Sequence, residues 1–226
     1  IIYENHIREK YMNPIGVFGG TFDPIHYGHL RTAYEMLQAL KFDEVRFMPC
    51  GKPPHRNEPR ADSTVRLSMV TAAIQGQKGF IVDDREINRE GPSYSVDTLK
   101  TLRTDFPLRS LGLIVGMDAF LGLPEWYQWR EILELSHIVV AHRPGWRMPD
   151  MGPLDELLKE RGTHRVDDLH QSKSGYIYIH EVTQLEISST DIRTLVRSGR
   201  NPRFLTPASV TKIINDSKCY KNKLTN

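Results

Sequence analysis

The chain has 226 residues, with 30 basic and 28 acidic side chains, a formal net charge of +2, and 39% hydrophobic against 26% charged residues. This composition suits a globular protein long enough to bury a substantial core. The near balance of charge excludes a broad basic face for nucleic acid, so any anion site is local. Two distant cysteines, Cys50 and Cys219, exclude a disulfide framework and a cysteine-rich zinc centre and point to a reducing compartment.

In chain order, residues 1–13 carry charges and no apolar leader core. They read as a polar N-terminal arm, with Met12 an alternative start, ahead of a single domain over 14–226. Ile15 to Phe18 is a strand, followed by glycines and then by Leu30, Ala33, Tyr34, Leu37 and Leu40 at helical spacing. Val45 to Met48 is a second strand. Ser63 is the expected cap of a helix bearing Val65, Met69, Ala72 and Ala73, and Phe80 to Val82 is a strand. Tyr94 to Arg103 follows as a helix capped by Ser93. Leu111 to Val115 and Ile138 to Ala141 are apolar enough for buried parallel strands, with a helix over Glu125 to Leu135 between them. The apolar stretch from Leu111 to Leu123 is broken by Asp118 and several glycines and is too short to span a bilayer. Residues 144–175 lack clear patterning apart from a helix near Leu154 to Lys159. Tyr176 to Ile179 is the last strand, and helices over Thr190 to Val196 and Ala208 to Ile214 close the chain. This alternation predicts an α/β fold whose parallel sheet carries helices on both faces, with ligands beyond the carboxyl ends of the strands.

Residues 19–29, Gly-Gly-Thr-Phe-Asp-Pro-Ile-His-Tyr-Gly-His, join the first strand to the first helix. Gly19 and Gly20 let backbone approach a ligand closely, and the helix start offers amides and a positive dipole end to phosphate. His26 and His29 are three apart, so both imidazoles fit on one side of the first turn and can stabilise developing charge at phosphorus. A dinucleotide fingerprint is excluded because the glycines are adjacent. The two histidines with Asp23 make an incomplete metal set. Near the other end, Ile-Ser-Ser-Thr-Asp-Ile-Arg over 187–193 has the form of a capping box from Ser188 to Asp191. It is either a well-capped helix or a second hydroxyl-rich anion site within reach of Arg193.

The first stretch resembles the HxGH signature of a nucleotidyltransferase superfamily, here His26-Tyr27-Gly28-His29, and the second resembles its ISSTxxR element without a departure. The resemblance implies a Rossmann-like sheet of the nucleotidyltransferase type. It also implies ATP contacts from Gly19, Gly20, Thr21, Phe22, His26 and His29, with His29 nearest the α-phosphate. Ile187, Ser188, Ser189, Thr190 and Arg193 would hold the β- and γ-phosphates, and Mg²⁺ would bridge the triphosphate largely through substrate oxygens and water.

From about Ile15 to Ile214 the chain is similar to the bacterial nicotinate-nucleotide adenylyltransferases. The supporting segments are Pro53-Pro54-His55-Arg56, Pro92-Ser93-Tyr94-Ser95, Gly116-Met117-Asp118, Leu123-Pro124-Glu125-Trp126-Tyr127 and Arg143-Pro144-Gly145. The implied reaction moves AMP from ATP to nicotinate mononucleotide. Trp126, with Tyr127 beside it, either stacks on the pyridinium ring or is a core aromatic. Ser95, where the family usually has threonine, and amides near Tyr94 either hold the nicotinate carboxylate or, with Ser93, only cap the helix. Asp118 suits ribose hydroxyls, or is a solvated turn residue. His55 and Arg56 close over phosphate, or form an ordinary basic loop, and Arg143 faces adenine or phosphates. Rival acceptors are nicotinamide mononucleotide, phosphopantetheine and, from CTP, a polyol phosphate. Outside the enzyme class stands a non-catalytic nucleotide sensor. The expected setting is the cytoplasm, with no nucleic acid or membrane as partner and a homo-oligomer left open.

Overall fold

The computed structural model describes residues 14–53, 58–142 and 151–221. Its strands are β1 (Ile15–Gly20), β2 (Glu44–Pro49), β3 (Phe80–Val82), β4 (Leu111–Gly116), β5 (His137–His142), β6 (Gly162–Thr163) and β7 (Ile177–Glu181). They form one sheet in the order β3-β2-β1-β4-β5-β7-β6, and every pairing is parallel. The helices are α1 (Tyr27–Ala39), α2 (Ser63–Ile74), α3 (Ser95–Asp105), α4 (Met117–Leu121), α5 (Trp129–Leu135), α6 (Pro153–Arg161), α7 (Val166–Gln171), α8 (Ser189–Arg197) and α9 (Ala208–Ser217).

Successive side chains of one strand enter opposite cores, as the two-residue period of a strand requires. Phe18 of β1, Ile114 of β4 and Val139 of β5 pack with Met36 of α1, Met69 of α2, Ile192 of α8 and Val210 of α9. Their neighbours Val17, Leu113, Val115, Ile138 and Val140 pack on the other face with Leu99 of α3, Phe120 of α4 and Ile132 of α5. Burial on both faces explains why β4 and β5 are nearly continuous apolar runs. From β1 the chain winds outward to β2 and β3, then returns to place β4 on the other side of β1. That reversal opens a crevice at the carboxyl ends of β1 and β4.

Several local expectations are corrected. Asp62, not Ser63, is the N-cap of α2. Ser93 does not cap α3, whose N-cap is Tyr94. Instead, Ser93 Oγ accepts the backbone N–H groups of Gly51 (3.0 Å) and Lys52 (3.3 Å) from the loop after β2. The helix expected from Glu125 is split into a 3₁₀ turn, Leu123–Glu125, and α5, because Gln128 takes a left-handed φ of 50°. Residues 151–175 hold α6, at the helix expected near Leu154 to Lys159, followed by β6 and α7, which escape pattern reading because β6 has two residues and α7 buries only Leu169. Among the described residues no helix is long and apolar enough to cross a membrane.

Candidate active site

At the reversal between β1 and β4 lie two adjoining cavities, of about 990 and 450 Å³. They share the seam of Phe18, Gly19, Gly20, Thr21, Gly116 and Asp118. The larger brings together the glycine turn, His26, His29 and the start of α8. The smaller is lined by Ser93, Tyr94, Ser95, Trp126 and Tyr127.

The two histidines form one unit. His26 is the N-cap of α1 and its ring stacks on that of His29, with centroids 3.8 Å apart and planes 27° apart. His29 Nδ1 accepts the backbone N–H of His26 at 3.3 Å. An accepting Nδ1 places the proton of a neutral imidazole on Nε2, which makes Nε2–H the donor for an anion. The edges of Phe18 and Phe22 pack on the His29 ring, with centroids at 6.3 and 5.2 Å. Phe22 is itself 2% exposed and left-handed at φ 49°, so its side chain braces His29 as a pillar of the cavity wall. Gly28 is required by the same stack, since a Cβ there would lie 2.9 Å from His26 Nδ1.

The start of α8 is fastened directly to the segment ahead of α1. Ser189 Oγ donates to Pro24 O at 2.9 Å and Arg193 Nη1 donates to Asp23 O at 2.7 Å, while Thr206 Oγ1, from the link between α8 and α9, donates to Ile25 O at 2.8 Å. The expected cap is present: Ser188 Oγ accepts the Asp191 N–H at 3.1 Å and donates to Asp191 Oδ2 at 2.7 Å. Thr190 Oγ1 accepts from Arg193 Nη2 at 3.0 Å. These hydroxyls therefore build the scaffold. What α8 offers a ligand is its first backbone N–H groups, which have no partner inside a helix, together with its dipole.

Asp23 organises this region from below. Its carboxylate, 5% exposed, accepts the N–H groups of Arg60 (2.8 Å) and Ala61 (3.1 Å) and the hydroxyl of Tyr220 (2.7 Å). Arg193 Nη1 lies 3.8 Å from its Oδ2. Burial, then the charge of Asp23, pushes the Tyr220 phenol above its ordinary value. No sequence motif marks Tyr220, which stands 197 positions from Asp23.

Asp118 is exposed in the first turn of α4, on the seam between the cavities. In the smaller cavity the rings of Tyr94 and Tyr127 lie 4.6 Å apart at 37°. Trp126, in the link between the 3₁₀ turn and α5, is half-buried: it packs on the core beneath and lines the cavity. Glu86, missed by sequence reading, is 7% exposed, lines this cavity and accepts from Thr98 Oγ1 at 2.7 Å. Burial pushes its carboxyl up. His55, Arg56 and Arg143 lie outside the described residues.

Residues 17–195 match the family described as cytidylyltransferase-like. The chain is 44% identical over 208 residues to the protein of Aeromonas hydrophila named "Probable nicotinate-nucleotide adenylyltransferase", covering 92% of this chain and 97% of that one. It is 45% identical over 207 residues to the protein so named in Methylococcus capsulatus, covering 91% and 99%. Among solved structures, the nicotinic acid mononucleotide adenylyltransferase of Plasmodium falciparum complexed with NaAD aligns with a TM-score of 0.71 over 92% of this chain and 97% of that chain. At 18% identity that likeness speaks for the fold.

Proposed function

We propose that this chain, which belongs to the cytidylyltransferase-like family and within it to the nicotinate-nucleotide adenylyltransferases, joins the AMP part of ATP to nicotinate mononucleotide, giving nicotinate adenine dinucleotide and pyrophosphate. The observation that carries the reading is the convergence of two helix starts, α1 and α8, on one cavity that shares a wall with an aromatic pocket. A triphosphate needs such a concentration of N–H donors and positive dipole ends, and a pyridinium ring suits indole and phenol faces.

In the proposed step a phosphate oxygen of the acceptor attacks the α-phosphorus in line. The bond from that phosphorus to the bridging oxygen breaks, and pyrophosphate leaves with the electron pair. Transfer of this kind depends on positioning and charge neutralisation, without a covalent intermediate. His29 donates through Nε2 to the α-phosphate, with His26 stacked beside it. The amides of Gly19, Gly20, Thr21 and Phe22 line the turn. The first amides of α8, at Ser189 and Thr190, with remaining donors of Arg193, hold the β- and γ-phosphates, and Ile187 and Ser188 lead the chain into that helix start. Asp118 at the seam takes ribose hydroxyls. Trp126 and Tyr127 flank the acceptor ring, while Ser95, Tyr94 and the start of α3 receive its carboxylate, with Ser93 fixing the loop opposite. By resemblance His55 and Arg56 are assigned to the acceptor phosphate, and Arg143 to the adenine or the phosphates.

The donor enters as MgATP, and bound Mg²⁺ neutralises triphosphate charge. By the family resemblance that ion would be held largely through substrate oxygens and water. One continuous sheet supports a single unit over 14–226, and the unpaired Cys50 and Cys219 support a cytoplasmic setting. The test is pyrophosphate release with ATP and Mg²⁺ and each of nicotinate mononucleotide, nicotinamide mononucleotide and phosphopantetheine in turn. Fastest turnover with the first is expected; release with none of them refutes the reading.

A further inference from the structure

Arg66 of α2 is the largest fully buried side chain among the described residues, at 1% exposure, and no step of the proposed transfer uses it. Each of its three nitrogens donates to a carbonyl on a different loop. Nη1 reaches Thr21 O at 2.8 Å, Nη2 reaches Gly51 O at 3.3 Å, and Nε reaches Ala61 O at 3.2 Å. The three loops are separate walls of the site. Thr21 stands on the shared seam, Cys50 and Pro53 beside Gly51 line the aromatic cavity, and Arg60 beside Ala61 lines the larger one.

A buried guanidinium is expensive to desolvate, and a hydrocarbon side chain would fill the volume at less cost. What it supplies instead is a rigid planar fork that holds several acceptors at fixed spacing. Gly51 is pinned from its other side as well. A Cβ there would lie 2.3 Å from Glu86 O, and its N–H donates to Ser93 Oγ. The loop after β2 is thus held between Ser93 and Arg66.

We propose that Arg66 is a positioning residue: it sets the distance between the glycine turn that carries the donor and the loop that lines the acceptor pocket. This rests on the transfer reaction proposed above. Without the fork each loop still binds its own substrate, but the two reacting groups no longer meet at bonding distance. A displacement of about 1 Å costs on the order of 10²-fold in rate.

The test compares wild type with Arg66→Lys, which keeps the charge but loses the fork, and with Arg66→Gln. The readouts are kcat for pyrophosphate release, the Kd of a non-hydrolysable ATP analogue and of nicotinate mononucleotide measured singly, and the thermal midpoint. With assays run well below that midpoint, kcat in Arg66→Lys falls on the order of 10- to 100-fold while each single-substrate Kd stays within about threefold. A lowered midpoint with unchanged kcat, a loss confined to one substrate's Kd, or failure of both variants to fold assigns Arg66 to stability or to one subsite and overturns the proposal. An inactive wild type sinks the proposed function and this inference with it, whereas an active wild type matched by its variants sinks this inference alone.

Discussion

His137, the first residue of β5, makes a stability prediction that is independent of the active site. Its side chain is fully buried, Nε2 lies 2.9 Å from Ser172 O, and Nδ1 accepts the Tyr176 N–H at 3.0 Å. Both nitrogens are thus used by the neutral tautomer, and a second proton would have to displace the bond to Tyr176. Burial, aided by the charge of Arg103, pulls the imidazole down from 6.5 to about 4. The unfolded chain therefore takes up a proton near pH 6.5 that the folded protein refuses until about pH 4. Stability from this group is complete above pH 6.5, falls as pH drops through the window from 6.5 to about 4, and levels off below it. At about 1.36 kcal/mol per pH unit, the full window is worth roughly 3 kcal/mol, most of it above pH 4.5. The assay is urea unfolding of wild type and His137→Gln at pH 7.0 and pH 4.5, because the difference between the two proteins cancels the carboxylates that titrate in both. Wild type should lose on the order of 2 to 3 kcal/mol more than the variant between these pH values. Equal losses refute the reasoning.

Three further outcomes concern the site. His29→Ala should lower kcat on the order of 10²- to 10³-fold while the circular dichroism spectrum and thermal midpoint stay at their wild-type values; unchanged turnover removes the histidine from the mechanism. Gly28→Ala forces a Cβ to 2.9 Å from His26 Nδ1, so the imidazole stack must open and kcat should drop on the order of 10-fold or more, with the KM for the acceptor unmoved. Trp126→Ala should raise the KM for nicotinate mononucleotide about 10-fold and leave that for ATP unmoved, whereas a matching rise for both would assign Trp126 to core packing.

What the sequence made legible follows from where physical signals are local. β1, β4 and β5 stand out because strands buried on both faces must be apolar throughout, and Ser188 as the cap of α8 is fixed by its spacing to Asp191. The convergence of α1 and α8 follows from motif order within a doubly wound sheet. The residues that fasten the loops around the site were not legible. Arg66 reads as the polar face of an ordinary helix, and only the tertiary fold turns it inward onto three carbonyls. Ser93 was misread as a cap because serine before a helix is the commonest N-cap signal, and its real partners, Gly51 and Lys52, sit more than 40 positions away. The hydroxyls of Ser188, Ser189 and Thr190 are engaged with Asp191, Pro24 and Arg193, partners that the motif alone does not name. In the proposed function the phosphates fall to backbone amides, which sequence does not display. α7 buries too little apolar surface to leave a periodic signature.

The most direct measurement is a crystal structure with Mg²⁺ and a non-hydrolysable ATP analogue. One triphosphate should touch both helix starts, with the α-phosphate within hydrogen-bond reach of His29 Nε2 and the outer phosphates on the Ser189 and Thr190 N–H groups. A triphosphate bound to only one of the two helices, with the other facing water, would contradict the proposed function.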